Sequence, residues 1–167
     1  SGCGSLTINL DYDGPKGAGY QGTLHAIQKL STAPFPVFVI PPENMADTTF
    51  PSRKVDPDLF IRTQGLEAYR KLLDKRIHLY RYKAKLLIEK HQTDQDMTDC
   101  QLVALIQEAD AYSSQILVHP EKRTDLYLFF WQEVIECLGI GWDEWLHYLQ
   151  VQSNQNRPVI LQLARAV

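Results

Sequence analysis

Two carboxylates are the first candidates for chemistry. Asp11 and Asp13 close the segment Leu6-Thr7-Ile8-Asn9-Leu10-Asp11-Tyr12-Asp13-Gly14. Side chains alternate along a strand, so residues two apart point to one side. A carboxylate pair placed in this way suits Mg²⁺, with one Asp as nucleophile and the other as acid/base. Gly17-Ala18-Gly19-Tyr20-Gln21-Gly22 follows, a G-x-G-x-x-G between a strand and a helix. Such glycines let a pyrophosphate approach a helix N-terminus. The acidic residue roughly 20 positions on, Glu43, follows two prolines and ends no strand. There is no Gly-Lys-Ser/Thr of the Walker type. A polar strand end and a flexible turn account for both motifs with fewer requirements.

The Asp-x-Asp-Gly ending resembles the first motif of haloacid-dehalogenase-type phosphatases. The helix and the 36–40 strand that follow resemble that family's opening βαβ unit. The resemblance spans about the first 40 residues. It implies a degenerate Mg²⁺-dependent phosphatase centred on Asp11 and Asp13. The chain departs from the pattern beyond that point. Ile40 is followed by Pro41 and Pro42, where the family ends its second strand in Ser or Thr, and no later acidic pair follows an apolar strand.

The third feature is charge. Residues 62–90 hold nine basic residues (Arg62, Arg70, Lys71, Lys75, Arg76, Arg81, Lys83, Lys85 and Lys90) against Glu67, Asp74 and Glu89. That is a surplus of six, in a chain whose net charge is −3. Tyr69, Tyr80 and Tyr82 are interleaved. Basic and aromatic side chains together suit phosphates and unstacked bases. The same charges could instead face the acidic residues of neighbouring helices, among them Glu108, Asp110, Glu133 and Glu136.

Histidines and cysteines add little. His91, Asp94, Asp96 and Asp99 share one interhelix segment, but at no calcium or zinc spacing. Cys3, Cys100 and Cys137 are far apart, which predicts two buried helical thiols and one near the terminus, in a reducing, cytoplasmic compartment. Small residues around Cys3 also resemble the end of a lipoprotein signal peptide, with Cys3 lipidated. No metal or cofactor is expected, and no apolar run approaches the ~20 residues of a membrane span.

The elements that must carry these residues begin with a strand at 6–11, a glycine-rich turn at 14–22, a helix at 23–30 and a strand at 36–40. Together they form a βαβ unit. Two strands do not make a stable sheet, so a third is needed. Its candidate is 159–163, which also reads as a terminal helix begun by Pro158. Residues 45–55, with Pro51 and polar neighbours, read as a linker, and Asp56-Pro57 as a helix start. One long helix is predicted over 64–91. Its apolar stripe is Leu66, Tyr69, Leu73, Ile77, Tyr80, Ala84, Leu87 and Ile88. A second row, Leu72, Leu79 and Leu86, recurs every seven residues. Thr98 and Gln101 form a capping-box signature. The helix it opens buries Leu102, Leu105, Ile106, Ala109, Tyr112 and Ile116. A third helix starts at Thr124 or Asp125 and is closed by Gly139, with Asp125, Gln132, Glu133 and Glu136 as its polar arc. A short helix covers 142–151.

The expected fold is therefore mainly α: a bundle-like core of about four helices with a short N-terminal βαβ element. The divisions are 1–44, a linker at 45–55, and a helical domain at 56–167. The expected function is a non-catalytic interaction module, a small subunit of a larger assembly. It would dock a protein partner or a second copy through Arg70, Lys71, Leu72, Lys75, Leu79, Arg81, Tyr82, Lys83 and Leu86. The alternative is an RNA- or single-stranded-nucleic-acid-binding subunit using the same basic helix.

Overall fold

A computed structural model describes residues 4–14, 17–46, 54–92, 97–116 and 120–145. Among these the fold is mainly helical with a small mixed sheet, as the patterning predicts. The chain divides into two compact units, Ser1–Tyr82 and Lys83–Val167.

The first unit opens with β1 (Leu6–Ile8), α1 (Ala18–Leu30) and β2 (Val37–Val39). β1 and β2 are parallel, so this is the expected βαβ unit. The third strand is β3 (Ile77–His78), antiparallel to β2, giving the order β1-β2-β3. The other candidate, 159–163, lies outside the described residues.

β3 corrects the single helix expected over 64–91. The chain there forms α2 (Pro57–Gln64), α3 (Leu66–Asp74), β3 and α4 (Leu79–His91). Gly65 separates α2 from α3 at φ +86°, a conformation that costs a residue with a Cβ but not glycine. Nothing comparable marks the end of α3, since no Gly or Pro occurs between 66 and 91. The helix tightens there through Lys75 N–H to Leu72 O (3.1 Å) and Arg76 N–H to Leu73 O (3.2 Å). Ile77 and His78 then pair with Val39 and Phe38. Without them the β2 edge would carry unpaired backbone groups, and burying such groups is costly. Tertiary pairing thus overrides a continuous helical periodicity.

The core of this unit joins Tyr12, Ile40, Met45, Val55 and Leu72, with Phe60, Tyr69 and Leu73 packed around them. Burial of each such side chain contributes about 1.5–3 kcal/mol. Tyr12 and Val55 exchange both backbone hydrogen bonds (2.7 and 2.6 Å), tying the loop after β1 to the entry of α2. Asp56 caps α2 as its position predicts, its carboxylate accepting from Leu59 N–H at 2.6 Å.

In the second unit, α4 continues from the first, followed by α5 (Asp99–Ile116) and α6 (Pro120–Leu138). The Thr98/Gln101 box is present. Gln101 Oε1 accepts from Thr98 N–H at 2.8 Å, and Gln101 N–H donates back to Thr98 Oγ1 at 3.4 Å. The six α5 residues expected to be buried are buried. α6 starts at Pro120, earlier than the expected Thr124 or Asp125, because proline's fixed φ suits the first helical position. Gly139 closes it at φ +68°. Glu133, expected on the polar arc, is buried. Phe130 meets Tyr112 at a tilt with ring centroids 5.0 Å apart, and Trp131 meets Trp145 likewise at 5.0 Å. Residues 142–145 are helical, and the rest of the expected 142–151 helix lies outside the described residues.

Candidate functional site

The glycine motif and the carboxylate pair form one local structure. Asp13 turns back over the start of α1, and both its carboxylate oxygens accept from Gly19 N–H (3.1 and 3.2 Å). A Cβ at Gly17 would collide with the Asp13 carboxylate, and one at Gly19 with the Asp11 carbonyl oxygen. The glycines therefore permit close approach, as the motif implies. The anion that approaches is the chain's own Asp13, which favours the positive end of the helix dipole. This cap also explains why α1 begins at Ala18 and not at Thr23. Asp11 pairs with Lys54 at 3.0 Å, and that hydrogen bond and charge raise the Lys54 pKa. Both carboxylates thus have structural partners. Among the described residues no three His, Cys, Asp or Glu side chains gather as metal ligands.

The predicted docking residues separate into buried and exposed sets. Leu72 on α3 and Leu79, Tyr82 and Leu86 on α4 are buried, the four being 7%, 1%, 1% and 9% exposed. The break at β3 removes the single wheel on which Leu72, Leu79 and Leu86 formed a row. Tyr82 donates to Glu43 at 3.4 Å. Arg81 is half-buried, whereas Arg70, Lys71 and Lys75 are exposed on or just past α3. Arg70 pairs with Glu67 on its own helix. Lys71 and Lys75 have no acidic partner among the described residues.

Lys83 lies in the second unit, where α4 meets an acidic group. Its ammonium sits 5.0 Å from the Tyr112 ring centroid. Burial lowers its pKa, against the pull of Glu108. Glu108 on α5 also accepts from Lys90 at 2.7 Å and lies 2.9 Å from His91 Nε2. Burial pushes the Glu108 carboxyl up. Hydrogen bonds from Lys90 and His91 and the charges of Lys90 and Lys83 outweigh it, leaving the pKa lowered. Lys83, Lys90 and His91 are therefore engaged by partners within this unit.

The structure adds residues that the helical reading hid. Strand register aligns Thr7, Phe38 and His78 across β1, β2 and β3, so all three share one face. All three are half-buried, whereas Ile8, Val37 and Val39 on the other face are buried. Arg76 is exposed and places its guanidinium 4.7 Å from the Phe38 ring centroid. Its Nη1 donates to Thr7 Oγ1 at 3.1 Å. His78 meets Phe38 edge-on (5.8 Å, 82°) and lies 5.1 Å from the Tyr80 ring. His78 Nδ1 accepts from Tyr80 N–H at 3.2 Å, which makes His78 a cap for α4, and burial lowers its pKa. Strand geometry places Phe38 opposite Val37 and Val39, but the 36–40 run is apolar throughout and gave no sign of which face is open. Arg76 and His78 gave no signal either while 64–91 read as one helix.

Cys100 and Cys137 are both helical and form no disulfide among the described residues, but Cys100 is exposed and Cys137 half-buried, where two buried thiols were expected. Cys3 lies outside the described residues. Among the described residues no helix is long and apolar enough to cross a membrane. No protein-family model, curated protein or solved structure matches this chain.

Proposed function

We propose that the chain is a non-catalytic interaction module, a small subunit that docks an anionic partner through its first unit. The observation that carries this reading is the set Lys71, Lys75 and Arg76. All three are exposed, and none has an acidic partner among the described residues. Their neighbours Leu72 and Leu79 are buried, so charge and not an apolar row would provide the contact. The segment 66–82 holds five basic residues against two acidic ones. Exposed charges of one sign raise the local concentration of an oppositely charged partner and speed its capture.

The test uses the full chain at low salt with two probes, a fluorescein-labelled polyglutamate peptide and a labelled oligodeoxythymidine. At least one binds, with affinity that falls as salt rises. The double variant Lys71→Glu/Lys75→Glu loses that binding while its circular dichroism is unchanged. Failure of both probes to bind would overturn the reading.

A further inference from the structure

The residues beside those lysines form more than a charged surface. Arg76 is held from two strands at once, by the Phe38 ring on β2 and by Thr7 Oγ1 on β1. A guanidinium has five N–H donors, and among the described residues one of Arg76's is used. The side chain is exposed, yet two contacts fix its position, so little rotamer freedom remains to be lost on binding. Its free donors fit a phosphate in a forked pair. Beside it, Phe38, His78 and Tyr80 form a continuous run of rings from the sheet face into the start of α4. Of these, Phe38 and His78 are half-buried, and beside a positioned arginine and two exposed lysines they offer two kinds of contact, charge and stacking.

An acidic peptide would satisfy only the first. A duplex would present its phosphates but keep its bases stacked away. A single strand can use both, because its bases are free to lie on an aromatic or guanidinium plane. We infer that the Thr7–Phe38–His78 face binds a single-stranded nucleic acid, with a phosphate on Arg76 and a base against the Phe38 and His78 rings. This inference rests on the anionic-partner reading and names the partner's class. Lys71 and Lys75 add attraction for the flanking phosphates.

The experiment compares oligodeoxythymidine, a duplex of equal length and polyglutamate on the full chain, with Phe38→Leu, Phe38→Tyr and Arg76→Lys variants. A stacked base contributes ~1–3 kcal/mol, so Phe38→Leu weakens the oligonucleotide by about tenfold. Polyglutamate affinity does not change in that variant. Phe38→Tyr keeps the ring and keeps the binding, which separates lost stacking from lost folding. Arg76→Lys retains the charge but loses the fork, and weakens the oligonucleotide more than the peptide. The single strand binds more tightly than the duplex. If Phe38→Leu leaves the oligonucleotide unaffected, or if only polyglutamate binds, this inference is overturned while the anionic-partner reading stands. If nothing binds at low salt, both are overturned.

Discussion

The two units use the same residue types in opposite ways. Ser1–Tyr82 holds ten basic and eight acidic residues, and Lys83–Val167 seven basic and twelve acidic. In the first unit three carboxylates are engaged: Asp13 caps α1, Asp56 caps α2, and Asp11 holds Lys54. Lys71, Lys75 and Arg76 are left facing solvent. In the second unit Lys90 and His91 both contact Glu108, and the charge of Lys83 adds to theirs on its pKa. Two aromatic groups differ in the same way. Phe38 and His78 lie half-exposed on a sheet face, whereas Phe130, Trp131 and Trp145 are buried together. A residue type therefore says little about binding until its local partners are counted. A balance of −3 over the whole chain conceals a first unit with more basic than acidic residues and a second with fewer.

The largest expected effect tests that aromatic contrast. Phe130 is fully buried, so Phe130→Ala should destabilise the second unit by about 3–5 kcal/mol. All three tryptophans, Trp131, Trp142 and Trp145, belong to that unit, so tryptophan fluorescence during urea unfolding reports on it directly. Phe38→Leu should shift the same transition far less. Equal shifts for the two variants would remove the distinction between a core ring and a surface ring.

A smaller effect is expected where the first unit spends its carboxylates. At Gly19→Ala the new Cβ meets backbone and not a flexible side-chain end, so the Asp11 loop must move. Overpacking of that kind costs about 1–3 kcal/mol. Asp13→Ala should cost about 1 kcal/mol through loss of the cap. The double variant should cost less than the sum, because both changes act on one loop. Far-UV circular dichroism during thermal unfolding measures all three. Full additivity would mean that the glycines and Asp13 are unrelated.

How much of this was legible depends on the range of each signal. Asp56-Pro57, Thr98 with Gln101, and Gly139 act within a few residues, and each marks a real helix boundary. The βαβ unit was legible for the same reason, because alternation and β-branched content are local. β3 was not. Ile77 and His78 continue a helical stripe and become a strand only because β2 has an edge to pair. The Asp13 cap acts across six residues and a glycine turn, so α1 starts earlier than its apolar spacing suggests. The surplus of cations over 62–90 was also visible. Which of them stay unpaired was not, since that depends on where Glu67, Asp11 and Glu108 fall in space.

Acid should separate the units further. The folded pKa of Glu108 is lowered, so its contribution to stability is present above the unfolded carboxylate range near pH 4.5. It is lost as the pH falls through the folded value. Glu108→Gln should be less stable than the wild type at pH 7 and approach it at low pH. Urea midpoints measured across that range, read by tryptophan fluorescence, check this. A constant difference at all pH values would mean that the Glu108 contacts with Lys90 and His91 contribute nothing through the carboxylate's charge.

The smallest effect falls on His78, at the junction of β3 and α4. Its neutral ring accepts the Tyr80 N–H through Nδ1, which a protonated ring cannot do. It packs against Phe38 and Tyr80 at the positive end of α4, where a cation is disfavoured. Burial is the cause that lowers its pKa below 6.5. A lowered folded pKa means that the unfolded chain takes up the proton first. Stability is then highest above pH 6.5 and declines as the pH falls through the folded value, a higher window than that of Glu108. His78→Asn keeps a polar cap but does not titrate, so its stability should stay level across the same interval. Thermal unfolding by circular dichroism from pH 7.5 to 5 compares the two. Parallel profiles would show that His78 is not the group responsible. A wild-type decline that disappears in His78→Asn would place a proton-sensitive contact beside the face proposed to bind a single strand.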